Sequence, residues 1–193
     1  MLWDTKTKTI VNNESSEIIR LLNSEFDTWG DASIDLYPHD LAPEIDALNA
    51  KVYETVNNGV YRAGFATSQA VYDAAVLALF ATLEELEQRL ADRRYLLGSR
   101  LTEADVRLFT TGVRFDLVYY SHFKCNIKQW RDFPNLFSWL KDVYQLPGIE
   151  QTVDLGEIKR HYYHSMHWVN PSGIVPLGPT IDLRAPHGRQ RLG

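Results

Sequence analysis

Four groups of residues in this chain have the types and spacing to do chemistry. Cys125, the single cysteine, could act as a nucleophile only as a thiolate, which needs a helix N-terminus or a cation beside it to lower its pKa. It stands in Phe123-Lys-Cys-Asn126 without a capping signature, so it reads as a buried filler. His161, His164 and His167 are spaced by three, as ligands of a metal on one helix can be. Each such step drifts about 60° round the helix, and no carboxylate or cysteine pattern accompanies them, so no metal is expected. Glu14 and Ser15 fall where a helix should begin, and there unpaired backbone N–H groups and the positive end of the dipole favour an anion. Simple capping is the commoner use of such residues. The fourth group is the ten tyrosines. A phenol can pass a proton while its ring packs on an aromatic ligand, but most tyrosines merely pack, with the hydroxyl hydrogen-bonded.

The elements that must position these groups start with the one around Thr102. Thr102 followed three residues later by Asp105 is a capping box, flanked by Leu101 and Val106 at the positions of a hydrophobic staple. At about 100° per residue, Val106, Phe109, Val113, Leu117 and Tyr120 form one stripe, and Leu108, Gly112, Phe115 and Tyr119 form another on the opposite side. Apolar groups on two sides call for neighbours on two sides, so this is the expected central helix of an all-helical domain, ending near His122 to Asn126.

Before it, Leu2-Trp3 and Thr9-Ile-Val11 read as a hairpin, and Glu14 to Phe26 as a helix. A hairpin with one helix cannot bury its apolar groups unaided. Asp27 to Asp40 reads as a connector. Leu41, Ile45, Leu48, Val52, Val56 and Val60 predict a long helix to about Asn58, with Gly59 near its end or at a kink, and Ser68 to Arg93 predicts its antiparallel partner. After the central helix, one more is expected from Pro134 to before Pro147-Gly148, and another from the capping pair Asp154 and Glu157, carrying Ile158, Tyr162 and Met166. From Asn170 an extended tail over the helical domain is expected.

Composition sets limits on function. With 193 residues and 45% hydrophobic content the chain can bury one full core. A net charge of −5, a pI near 5.7 and the lack of clustered Lys and Arg exclude a nucleic-acid surface. One cysteine excludes an internal disulfide. The absence of an apolar run of about 18 residues and of a signal-peptide pattern gives the expectation of a cytoplasmic protein with no membrane partner. In that compartment the sequon Asn13-Glu-Ser15 is unused.

A hairpin and helix, a connector, and a helical domain with a capping box before its central helix resemble the glutathione transferase superfamily. Asn12-Asn-Glu-Ser-Ser-Glu-Ile18, Asn58-Gly-Val-Tyr-Arg-Ala-Gly-Phe65, Arg114-Phe-Asp-Leu-Val-Tyr119 with His122-Phe-Lys-Cys-Asn126, Gly156 to His164, and Pro186-His-Gly-Arg189 are similar to the glutathionyl-hydroquinone reductases, the Xi class. The resemblance implies a mainly α fold: the helical C-terminal domain over 41–169, preceded by the end of a thioredoxin-like domain (1–26) and a linker (27–40), and followed by the tail (170–193).

The same resemblance implies a function. Glu14 and Ser15 would grip the γ-glutamyl end of glutathione, the serine meeting its carboxylate. Tyr61 would give and take the proton at the aromatic substrate, and Tyr119 and Tyr162 would stabilise a thiolate. That thiolate belongs to a Cys-Pro-Trp motif which these residues lack, so the chain is expected to be an N-terminally truncated member that cannot turn over alone. The implied partners are glutathione as co-substrate, a glutathionyl-hydroquinone and a second copy in a homodimer. A conjugating glutathione transferase and a non-catalytic transferase-like interaction domain are the alternatives. The last of these needs no tyrosine triad.

Overall fold

The computed structural model describes all 193 residues. Asp4 folds the first turn by accepting the N–H groups of Lys6 at 2.7 Å and Thr7 at 3.1 Å. This joins β1 (Leu2–Asp4) to β2 (Thr9–Asn12) as an antiparallel pair, with Trp3 opposite Ile10. Next comes α1 (Ser15–Ser24), three residues shorter than expected and without a buried side chain. The connector is irregular, as predicted. It is tied down where Asn23 bonds the N–H of Leu36 at 2.8 Å and the Leu36 carbonyl takes the N–H of Glu103 at 2.6 Å.

Pro43 in the first turn, where a missing N–H costs nothing, starts α2 (Ala42–Val52). The predicted single helix to Asn58 is corrected here. A π-turn at Tyr53–Asn57, closed by the bond from Asn58 N–H to the Tyr53 carbonyl, accommodates an extra residue, and the chain continues as α3 (Gly59–Gly64). α4 (Gln69–Arg89), capped by Ser68, packs against α3 and this π-turn. The central helix α5 (Glu103–Arg114) ends in a second π-turn, Phe115–Tyr119. Two further helices follow, α6 (Pro134–Tyr144) and α7 (Leu155–Ser165), the latter capped by the Asp154 carboxylate on the Glu157 N–H at 2.8 Å.

α5 packs between α2 and α6. Gly112 faces Trp130, and a Cβ there would stand 2.9 Å from the indole, so the bare backbone is what lets that ring lie against the helix. One continuous core runs from Leu48 to Leu183, which makes the C-terminal segment part of the same body. That segment is extended, as expected, only as far as Arg189–Leu192, where it closes in a single 3₁₀ turn. The buried guanidinium of Arg189 gathers the carbonyls of Leu90 at 3.0 Å and Arg94 at 2.9 Å, fastening the segment to the end of α4. No helix is long and apolar enough to cross a membrane.

The capping box forms, and reaches further than its sequence signature. Asp105 accepts from the Thr102 N–H and hydroxyl, both at 3.0 Å, and also from the Leu96 N–H and the Trp139 indole, both at 2.9 Å. Burial raises the carboxyl above its ordinary value, and these four donors oppose that shift. Asp105→Ala would strand buried donors on three elements. It is expected to cost on the order of 3–5 kcal/mol, read as a lowered urea midpoint at unchanged m-value.

Candidate active site

Three phenols from three separate elements meet at one point. Tyr61 is carried by α3, Tyr119 by the second π-turn and Tyr162 by α7. The Tyr162 hydroxyl lies 2.6 Å from that of Tyr61 and 2.9 Å from that of Tyr119, and the third side of the triangle, Tyr61 to Tyr119, is 3.4 Å. Phe123 braces the cluster, its ring 5.4 Å from Tyr61 and 5.5 Å from Tyr119 between centroids. Gly64 makes room for that ring, since a Cβ at 64 would fall 2.3 Å from it.

Tyr119 is 2% exposed and packs in the helical core while also lining the cleft and reaching Tyr162. The stripe that places it opposite Val106 and Val113 is counted at about 100° per residue, and the π-turn after Arg114 breaks that count by widening the helix.

Burial sets the chemistry of the triangle. It lifts the Tyr162 phenol to about 12 and pushes Tyr119 up as well, so both remain protonated near neutrality and act as donors. Three hydroxyls with one proton each can bond in a ring, but the 3.4 Å side is the weak one. Opening it leaves a chain, Tyr119 to Tyr162 to Tyr61, with the proton of Tyr61 free to point outward. Tyr61 is also the most accessible of the three.

The phenols open onto a cleft of about 500 Å³ whose other wall is the start of α1, with Glu14 and Ser15. Glu14 is the N-cap: its carboxylate accepts the Ser16 N–H at 3.2 Å, which holds its pKa below the ordinary value. Ser15 is the first residue of the helix beside it. α1 is held in place by Arg20, which pairs with the buried Glu103 at 2.9 Å and with Asp46 at 2.5 Å. Glu103 in turn pairs with Arg107 at 3.2 Å.

A larger groove of about 980 Å³ between α3 and the start of α4 shares Tyr61 but reaches none of Glu14, Ser15, Tyr119 or Tyr162. The smaller cleft is therefore the candidate site.

One wall of this cleft went unrecognised in the sequence. Arg107, Thr110, Thr111 and Arg114 of α5 line it together with Asn57. Their spacing of three and four residues is a polar stripe on a helix otherwise read for its apolar ones, and that stripe was the available signal. The other candidates lie elsewhere. Cys125 is fully buried, its sulfur 3.9 Å from the carbonyls of Val60 and Phe123, and burial pushes its thiol up to about 12. His161, His164 and His167 are exposed, and no three His, Cys, Asp or Glu side chains gather to hold a metal.

This arrangement of helices is that of the glutathione transferase C-terminal domain. The family described as "Glutathione S-transferase, C-terminal domain" matches residues 69–142. Over 189 residues the chain is 54% identical to "Glutathionyl-hydroquinone reductase YqjG" of Escherichia coli, covering 98% of this chain and 58% of that protein. It is also 54% identical to "Glutathionyl-hydroquinone reductase PcpF" of Sphingobium chlorophenolicum, covering 95% of this chain and 58% of the relative. The glutathione-bound structure of the E. coli protein superposes with a TM-score of 0.95 over 97% of this chain and 61% of that one, at 54% identity. A Xi-class transferase from Natrialba magadii does so with a TM-score of 0.96 at 52% identity, over 98% of this chain and 58% of its own. The chain belongs to the Xi class of the glutathione transferases, the family of these glutathionyl-hydroquinone reductases. It spans 58% of the length of the two curated relatives.

Two measurements check the packing of the site. Gly64→Ala is expected to displace Phe123 and with it the phenols, lowering the melting temperature by several degrees, on the order of 1–3 kcal/mol for an overpacked contact. Cys125 and Tyr162 have folded pKa values above their ordinary 9.0 and 10.0, so their contribution to stability is complete below about pH 9 and is lost as the pH rises toward 12. Urea unfolding followed above pH 9 should show stability falling by up to about 1.4 kcal/mol per pH unit for each group. Iodoacetamide at pH 8 should label Cys125 only in the unfolded chain.

Proposed function

We propose that this chain carries the substrate-side machinery of a glutathione-dependent reductase that removes glutathione from glutathionyl-hydroquinones. The observation that carries the reading is the hydrogen-bonded triangle of Tyr61, Tyr119 and Tyr162, opening onto the same cleft as Glu14 and Ser15. The names of the relatives, and the glutathione bound in one of their structures, point the same way.

In this reading Ser15, at the positive end of α1, receives the γ-glutamyl carboxylate, with Glu14 beside it. A cysteine thiolate attacks the glutathione sulfur. The bond between that sulfur and the aromatic carbon breaks, and its electron pair stays on the carbon. Tyr61 delivers a proton there, drawing on the Tyr119 to Tyr162 chain behind it, so that hydroquinone leaves and a mixed disulfide remains. A second glutathione thiolate then attacks the mixed disulfide, releasing glutathione disulfide and the enzyme thiolate, and its proton restores Tyr61. Between turnovers Tyr119 and Tyr162 exchange the hydrogen bonds of that chain for donation to the thiolate and favour its charged form.

The nucleophile is not Cys125, which is buried and protonated. We assign it to a thioredoxin-like half whose end is residues 1–26. The apolar side chains that the hairpin and α1 leave exposed, Trp3, Ile10, Val11 and Leu22, suit burial against such a half.

The test joins this chain to a thioredoxin-like half carrying the Cys-Pro-Trp motif that the resemblance implies, and follows hydroquinone release from a glutathionyl-hydroquinone. Tyr162→Phe removes the hydroxyl shared by both short hydrogen bonds and should lower kcat about 100-fold, with the circular dichroism spectrum unchanged. An unchanged rate would overturn the proton role of the triangle, and a joined protein that releases no hydroquinone at all would leave a non-catalytic interaction domain as the better reading. Turnover by residues 1–193 alone would contradict the assignment of the thiolate.

A further inference from the structure

The two arginines on the cleft wall differ in one respect. Arg107 is neutralised by Glu103 at 3.2 Å, and it also faces Glu14, whose carboxyl its charge helps to hold down. Arg114, two turns further along α5, is half-buried and has no carboxylate within ion-pair distance. It donates one N–H to the Thr110 carbonyl, and its remaining donors make no hydrogen bond within the chain. Glu14 is the only acidic side chain lining the cleft. The charges at the α1 end are therefore matched, whereas the phenol end carries one uncompensated cation. Its field reaches the cluster, drawing the Tyr162 phenol down against the larger effect of burial.

A half-buried guanidinium with free donors at the mouth of a cleft lacks a partner for a planar, two-oxygen anion. Resting on the reading that an aromatic conjugate of glutathione binds here, we propose that Arg114 forms a subsite for a carboxylate on the substrate's aromatic ring. The cleft would then prefer hydroquinones bearing a ring carboxylate over neutral ones. The guanidinium fork supplies paired N–H donors, Tyr162 stays protonated beside it, and Thr110 positions the side chain through its backbone carbonyl.

The experiment is isothermal titration of the full chain at pH 7 with two probes, the S-glutathionyl conjugates of hydroquinone and of 2,5-dihydroxybenzoate. These share the glutathione moiety and differ only in the ring carboxylate. The carboxylated probe should bind roughly ten-fold more tightly, the low end of what a hydrogen bond to a charged group supplies. Arg114→Gln should reduce the ratio to near one, and Arg114→Lys, which keeps the charge without the fork, should leave it in between. Equal binding of both probes to the unaltered chain overturns the proposal while leaving the glutathione site standing. So does an Arg114→Gln variant that weakens both probes equally, which would assign the arginine to a carboxylate of glutathione itself. If neither probe binds, the glutathione reading fails and the subsite fails with it.

Discussion

The carboxylate of Asp105 is the constraint on which the helical body depends. It lies at the start of α5 with no solvent to satisfy it, and its hydrogen bonds come from its own helix start, from the loop at Leu96 and from α6 through Trp139. A buried charge is tolerable only when its lone pairs are used, so these three pieces of chain are held in one relative arrangement. α5 in turn carries Glu103, which anchors α1, and the stretch leading to Tyr119. Both walls of the cleft thus refer to a helix whose own position Asp105 sets.

Two π-turns convert that frame into a site. The first bends the long helical hairpin just before Tyr61, and the second turns Tyr119 inward at the end of α5. The Tyr119 and Tyr162 hydroxyls meet there through a hydrogen bond largely shielded from solvent, where burial keeps both protonated and the bond is stronger than it would be in water.

How much of this was legible in the sequence depended on how local the signal was. Thr102 and Asp105 stand three apart, and their pairing could be read directly. So could the Asp154 cap and the break at Gly98, where φ is +111°. The convergence of the phenols could not, because the partners are 43 to 101 residues apart and seven other tyrosines have the same local character. Resemblance to a family singled them out, and the coordinates bring them together. Arg107 and Arg114 were missed for a different reason: periodicity was applied to apolar residues, and on a helix enclosed on several sides the polar stripe is the one that marks a cavity. The π-turns leave no composition signature at all.

The triangle of hydroxyls also bears on how the protein fails. Because its corners come from distant stretches of one chain, the cluster has high contact order and no partial form. A slight local loosening of α3, or of the segment carrying α7, would separate the oxygens by more than a hydrogen bond's reach while most helices stayed intact. Warming should therefore break the hydrogen-bonded triangle before far-ultraviolet ellipticity changes, which makes the triangle a more sensitive gauge of native packing than secondary structure is.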